Sequence, residues 1–466
     1  MSLLIPGTNS IKDTGYDVAN SVRLNRGDSP NFTRTPSSAS NRRTWTWSGW
    51  IKRSGLGNIQ TLFDGSDGGY PEIFYFAADD TFIYQHDISG SDYKLISSQV
   101  FKDVGAWMHI VVAKDTTQST ETNRLKVYVN GSQITMNESA LGYPPENYEG
   151  AININDLHII GNWKTNSYYI DGYLAEVAFV DGTQLDATSF GEFDEDSPTI
   201  WKPKDVSDLT FGTNGFYLDF EDSSALGNDV SGNNNDYTAN NLAATDQSTD
   251  TCTNNFATYN NLLPTKPPTF SEGNTKITQS GNNWDITYST IGVSSGKWYM
   301  EVKWESGSQM NPGFATSSVF ELNPSFTRGT NNPSNGGAIY TMYTDGSIYK
   351  NNSASSYGSG ISSGNIQMLA MDLDNNKFYW GQNGTFQNSA DPANNSNGFA
   401  IDSSHQGNTW HFHISVYGSG DKLGNFGNPA FSISSGNSDA NGFGNFEYAV
   451  PSGFFALCTK NLAEFG

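Results

Sequence analysis

The chain has 466 residues, with 25 Lys plus Arg against 48 Asp plus Glu and a net charge of -23, so no strong field draws it to nucleic acid or to an anionic membrane surface. With 13% aromatic and 16% charged residues it is too aromatic and too sparsely charged for a disordered acidic chain, and it is too long for one ordinary domain. No apolar run reaches the ~18 residues of a membrane helix, and the opening MSLLIPGTNSIKD lacks the basic lead of a signal peptide, so neither a membrane span nor export is expected. The 48 Gly and 17 Pro, with no long helix-forming window, predict β structure joined by tight turns. Cys252 and Cys458 are too few for a disulfide framework and are expected to be free thiols.

Residues 1–19 form a short polar leader, expected to be a docking arm that orders on assembly. Strand signals are dense over residues 20–196. Thr44–Ser54 sets Trp45, Trp47, Gly49 and Ile51 on one face against mostly polar Thr46, Ser48, Trp50 and Lys52, the pattern of a strand with one buried face. A hairpin turns at Ala78, Asp79 and Asp80, two strands follow within 107–115 and 124–134 with Asn130-Gly131 as a turn, and 156–163 and 169–185 add two more. Residues 197–268 are small and polar with one good strand within 213–222, which predicts a long ordered connector packed against its neighbours or a partner. From 269 to 466 strands return: Trp298, Met300, Val302 and Trp304 share a face, hairpins turn at Asp345-Gly346 and Asn375-Asn376, and another strand lies within 410–418. The halves share an echo, with Ala113-Lys114-Asp115 leading to Asn130-Gly131 and Ala370-Met371-Asp372 leading to Asn383-Gly384. The expectation is an all-β chain of two jelly-roll sandwiches joined by a connector.

The stretch Trp107-x-His109-x-Val111-Val112-Ala113-x-Asp115, then Leu125-x-Val127-Tyr128-Val129-Asn130-Gly131, then Asp171-Gly172-Tyr173-Leu174-Ala175-Glu176-Val177 resembles a laminin-G-like, concanavalin-A-like domain. Lys297-Trp298-Tyr299-Met300-Glu301-Val302, Asp372-Leu373-Asp374-Asn375 and Pro451-Ser452-Gly453-Phe454 resemble a SPRY domain, also built on a concanavalin-A-like sandwich. The leader, the Gly212–Leu242 stretch and the closing GFFALCTKNL are similar to structural proteins of tailed bacteriophages, notably marine ones. That resemblance implies a non-enzymatic, oligomeric protein on the virion surface, contacting other virion proteins and a host-surface glycan. Capsid decoration and a glycan-degrading enzyme are the alternatives.

Glycan recognition needs exposed rings beside amide and carboxylate groups. The loop GNWKTNSYYIDG offers Trp163, Asn166, Tyr168, Tyr169 and Asp171, and Asp64 with Tyr70 are expected nearby. Most rings in a β-rich chain are packing residues, which is the competing reading. Asp229, Asn233 and Asp236 surround a Gly turn as calcium prefers, resembling a turn near calcium in some laminin-G-like domains, although an Asx turn satisfied by its own backbone fits the same residues. No other cofactor is expected. Glu192 to Ser197 approaches the Glu-x-Asp-x-x-Glu of laminarinase-type enzymes but ends in Ser197, so a solvated acidic linker is the reading there. His411 and His413 share a strand face without an evident third metal ligand, His109 reads as a packed residue, and Arg26-Gly27-Asp28 reads as a turn. The polar loop from Arg328 to Gly337 is a possible partner contact.

Overall fold

The structure is a computed structural model describing residues 15–67, 70–164, 167–262, 268–322 and 336–466. Strand pairing sorts the chain into two compact units that divide between Thr253 and Asn254.

The first unit is a sandwich of two antiparallel sheets. Sheet A runs in the order Ser132–Gln133, Leu125–Val129, Met108–Asp115, Thr44–Arg53, Gly172–Asp181, Ser21–Leu24, Gln247–Ser248, with Phe216–Leu218 also paired to Gly172–Asp181. Sheet B runs Met136–Ala140, Ser91–Val100, Thr81–Ile88, Tyr70–Phe76, Gln60–Asp67, His158–Ile160, Asn31–Arg34, Thr238–Asn240. Alternate residues of both sheets meet between them, among them Trp45, Trp47, Phe63, Phe74, Tyr84, Ile110 and Val112. Lys114 of sheet A reaches Glu72 of sheet B inside this core, and both side chains are fully buried.

Two sequence expectations differ from the structure here. Thr44–Arg53 is buried on both faces, including Thr46, Ser48, Trp50 and Lys52. The cause is a second apolar layer on the outer side of sheet A, where Trp50, Val111, Ala175 and Ala178 pack under Val18, Phe190, Trp201, Val206, Phe211 and Tyr217. Residues 197–253 are therefore no separate connector. They supply most of this cover, through Trp201, Val206, Phe211 and Tyr217, and four short strands of the first unit. Asp250 fixes the end of the segment by accepting from the buried Lys52 ammonium at 2.7 Å and the Trp107 indole at 2.9 Å. Of the expected docking arm, residues 1–14 lie outside the described residues, while Val18 is buried in the cover layer.

The second unit is also a sandwich. One sheet runs Thr269–Ser271, Lys276–Gln279, Gly420–Asn425, Lys297–Trp304, Ile366–Asp372, Lys377–Gln382, Thr385–Phe386, and the other runs Trp284–Tyr288, Trp410–Tyr417, Gln309–Thr316, Ile339–Met342, Ser347–Lys350, Ser353–Ser356. Trp298, Met300, Val302 and Trp304 join Phe314, Trp380, Trp410 and Phe412 in its core. The echo between the halves is structural. Asn130 and Asn383 both have positive φ ahead of a positive-φ Gly. The Asn130 Oδ1 accepts from the His109 N–H at 2.8 Å, and the Asn383 Oδ1 accepts from the Ile366 N–H at 3.0 Å. Among the described residues no helix is long and apolar enough to cross a membrane. Cys252 and Cys458 are free.

Candidate functional site

The outward face of sheet B carries the best candidate. On Tyr70–Phe76, Phe74 and Phe76 enter the core, so Ile73 and Tyr75 point the other way. On Thr81–Ile88, Ile83 joins them and Gln85 stands opposite Ile73. The loop after His158–Ile160 folds over this face. It is anchored where the Lys164 N–H donates to the Asp64 carboxylate at 2.7 Å, the Thr61 N–H to the Tyr168 carbonyl at 3.0 Å and the Ile170 N–H to the Gly161 carbonyl at 3.0 Å. These anchors set the half-buried Trp163 ring 6.1 Å from Tyr75 and 5.6 Å from Tyr168.

Polar groups border the three rings. The Tyr75 hydroxyl donates to Gln85 Oε1 at 2.9 Å, and the Gln85 amide also faces Asp92. Lys94 stands opposite Gln85, and Asp87 opposite Asp92. Asp92 Oδ1 is buried without a hydrogen-bond partner among the described residues. Burial lifts the Asp92 carboxyl above its ordinary range, Asp87 adding to this and Lys94 opposing it. Burial, then the Asp92 charge, push the Tyr75 hydroxyl up to about 12, so it stays a donor at neutral pH. Tyr75 is buried beneath the other two rings, so Trp163 and Tyr168, half-buried, are the ones with area left to stack, beside an amide, a carboxylate and an ammonium.

Of the residues expected from sequence, the fold brings Trp163 and Tyr168 together, their rings 5.6 Å apart. Tyr169 is half-buried and makes no ring contact among the described residues. Asn166 and the Tyr70 side chain lie outside the described residues, as does the loop from Arg328 up to Asn335. Asp64 and Asp171 are corrections: they brace the loop instead of facing a ligand. Asp64 is fully buried under Lys164. The Asp171 carbonyl accepts from the Ser54 N–H at 3.0 Å and the Gly55 N–H at 3.2 Å, while its carboxylate accepts from Ser54 Oγ at 3.3 Å. Tyr75, Gln85 and Asp92 escape sequence reading because they come from three strands whose register no local signal reveals.

The Asp229, Asn233 and Asp236 turn is closed by its own hydrogen bonds. Asp229 accepts from the Tyr217, Ser231 and Asn235 N–H groups at 2.8, 2.9 and 2.7 Å and from Ser231 Oγ at 2.9 Å. Asp236 accepts from the Asp229 N–H at 2.9 Å, and the Asn233 amide donates to the Gly212 and Gly215 carbonyls. Asp229 spends both carboxylate oxygens on these donors, which is the self-satisfied Asx turn, and a cation at Asp229 would have to displace them.

Other chemistry-bearing residues are packed. Trp201 Nε1 donates to His109 Nδ1 at 3.0 Å, which leaves the proton on Nε2, facing Ser48 Oγ at 2.8 Å. That tautomer cannot take a proton from Ser48, and burial holds the ring neutral by lowering its pKa to about 3. His411 uses both nitrogens, on the Ser289 carbonyl at 2.9 Å and Ser317 Oγ at 2.9 Å, so it has none for a metal shared with His413. Glu192 and Asp194 flank Lys202 at 3.6 and 3.3 Å across a hairpin instead of facing a cleft. Arg26 to Asp28 form a short helical turn.

Residues 27–187 match the family model of the concanavalin A-like lectin/glucanases superfamily, Laminin_G_3. The matched stretch lies in the first sandwich, whose fold is concanavalin A-like. The chain is similar to a heptameric SAP-like pentraxin from Limulus polyphemus at 16% identity and TM-score 0.26, covering 36% of this chain and 79% of that one. It is similar to the SPRY domain of human HERC1 at 13% identity and TM-score 0.23, covering 32% and 85%. It is also similar to domains LG4-5 of the mouse laminin alpha1 chain at 8% identity and TM-score 0.30, covering 87% and 84%. No curated protein matches at a significant level.

Proposed function

We propose that this protein is a lectin-type adhesin that binds a cell-surface glycan on the outward face of sheet B. The observation that carries the reading is the pair of half-buried rings, Trp163 and Tyr168, set over the buried Tyr75 and beside Gln85 and Asp92. The lectin/glucanase family match over residues 27–187 supports it. The reading is non-enzymatic: it takes the site to hold a sugar without breaking it. The reading includes an oligomer displayed on a virion surface with other particle proteins as partners, which immuno-electron microscopy of particles would test. Trp163→Ala is expected to lower glycan affinity at least tenfold on a glycan array followed by calorimetry, with an unchanged melting temperature. Undiminished binding would move the site elsewhere, and reducing ends released from polysaccharide would replace the adhesin with an enzyme.

A further inference from the structure

The outward side of sheet B extends past the three rings, its middle positions Ile73, Asp64 and Ile159 being buried, with Asp64 covered by Lys164, so that only its two ends meet a ligand directly. Gln85, Ile73, Asp64, Ile159, Thr33 and Thr238 stand opposite one another on successive strands in a single row. Phe32 and Ala239 turn into the core, so their neighbours Thr33 and Thr238 turn outwards. There the sheet edge opens into a groove of about 490 Å³, lined by Thr33, Arg34, Leu157, Asn235, Asp236 and Thr238 among others. Arg34 is braced by Asn235 Oδ1 and by the Asn214 carbonyl at 3.5 Å. Beside it the Asn240 amide donates to Asn31 Oδ1 at 3.0 Å and to Thr33 Oγ1 at 2.9 Å, continuing a hydroxyl and amide surface.

Two features fix what this surface would take. The first is span. From Ile73 to Thr33 there are three strand spacings, ~14 Å, and from Gln85 to Thr238 five, ~24 Å, too far for one sugar ring to touch both the rings and the groove. Lys164 lies between them, its ammonium 2.9 Å from Asp156, which precedes Leu157 of the groove. The second is charge. Arg34 and Asp236 leave the groove without net charge, and a chain of net charge -23 repels a polyanion at long range.

We infer that this face binds an uncharged linear oligosaccharide laid across the strands, stacked at one end on Trp163 and Tyr168 and hydrogen-bonded at the other in the Thr33, Arg34 and Thr238 groove. The inference rests on the lectin reading of the three rings and adds length and charge to it.

The test is calorimetry on the full chain with di- to hexasaccharide ladders of β-linked glucose, galactose, mannose and N-acetylglucosamine, and with an oligogalacturonate ladder. Affinity for one neutral ladder is expected to rise at least tenfold from disaccharide to hexasaccharide. In the Thr33→Val, Thr238→Val double variant, checked for an unchanged melt, every length should bind like the disaccharide. A flat length dependence with Trp163-dependent disaccharide binding would overturn the track and leave the lectin reading standing. A rise that survives the double variant would overturn the groove. Tighter binding of the oligogalacturonate ladder would overturn the charge assignment, and no binding to any ladder would end the lectin reading itself.

Discussion

Glu72 and Lys114 meet between the two sheets of the first unit with no solvent exposure. Burial by itself pushes the Glu72 carboxyl up, but the Lys114 ammonium, His86 and the Ile152 N–H outweigh it and hold the group at about 2, below its ordinary 4.5. A depressed carboxylate stabilises the fold above its unfolded pKa, so this contribution is present above pH 4.5 and is lost as pH falls towards 2, while burial lowers the pKa of the Lys114 ammonium and offsets part of it. Lys114→Met would leave Glu72 as an unpaired buried charge and should cost about 3–5 kcal/mol in urea unfolding at neutral pH; a loss below 1 kcal/mol would show that the pair is not buried as described. Glu176 has the opposite sign. It sits at a bulge with φ of 50°, accepts from the Tyr217 and Tyr16 hydroxyls, and is pushed up to about 7 by burial, with Asp219 and Glu221 adding to the effect and Cys252 nearby. A raised carboxyl favours the fold when protonated, so its stabilisation is full below pH 4.5 and is lost as pH rises to about 7. Glu176→Gln keeps the shape and removes the proton site. It should flatten the stability slope between pH 4.5 and 7 in urea melts, and a slope equal to the wild type's would refute the assignment.

The hairpins were legible at the level of elements because their signals are local. Alternation within 296–307 and the Asn-Gly turns at 130 and 383 need no information from distant residues. Of the segment 197–253, the strand at Phe216–Leu218 was legible, whereas Thr238–Asn240 and Gln247–Ser248 were not, because they are strands of two or three residues stabilised by pairing with sequence-distant partners. The same distance hid the second buried face of Thr44–Arg53 and the part of the candidate site built from Tyr75, Gln85 and Asp92. Trp163 and Tyr168 stood out since they share one loop. Asp229 shows how such a segment holds its shape, with one carboxylate taking three N–H groups and a hydroxyl. Asp229→Ala should therefore cost about 3 kcal/mol by stranding partly buried donors, measured by thermal melts. The loss should be equal in calcium and in EDTA. A wild-type melting point that falls in EDTA would restore a cation at this turn.

At the scale of the whole molecule, the apolar clusters of the described residues sort by unit. The clusters around Trp45 and Trp50 belong to the first unit, and those around Trp298, Tyr299 and Tyr288 to the second. Cooperative unfolding follows shared burial, so a chain with two complete cores should unfold in two steps. Calorimetry is expected to resolve two transitions, each assignable by a core variant. Lys114→Met should lower one of them, and Trp298→Ala, which empties a fully buried site in the second core at a cost of about 3–5 kcal/mol, should lower the other. Each variant is expected to leave its counterpart's transition in place. A single transition lowered by both variants would mean that the two sandwiches unfold as one body, and glycan binding on sheet B would then raise the melting point of the entire chain instead of one half of it.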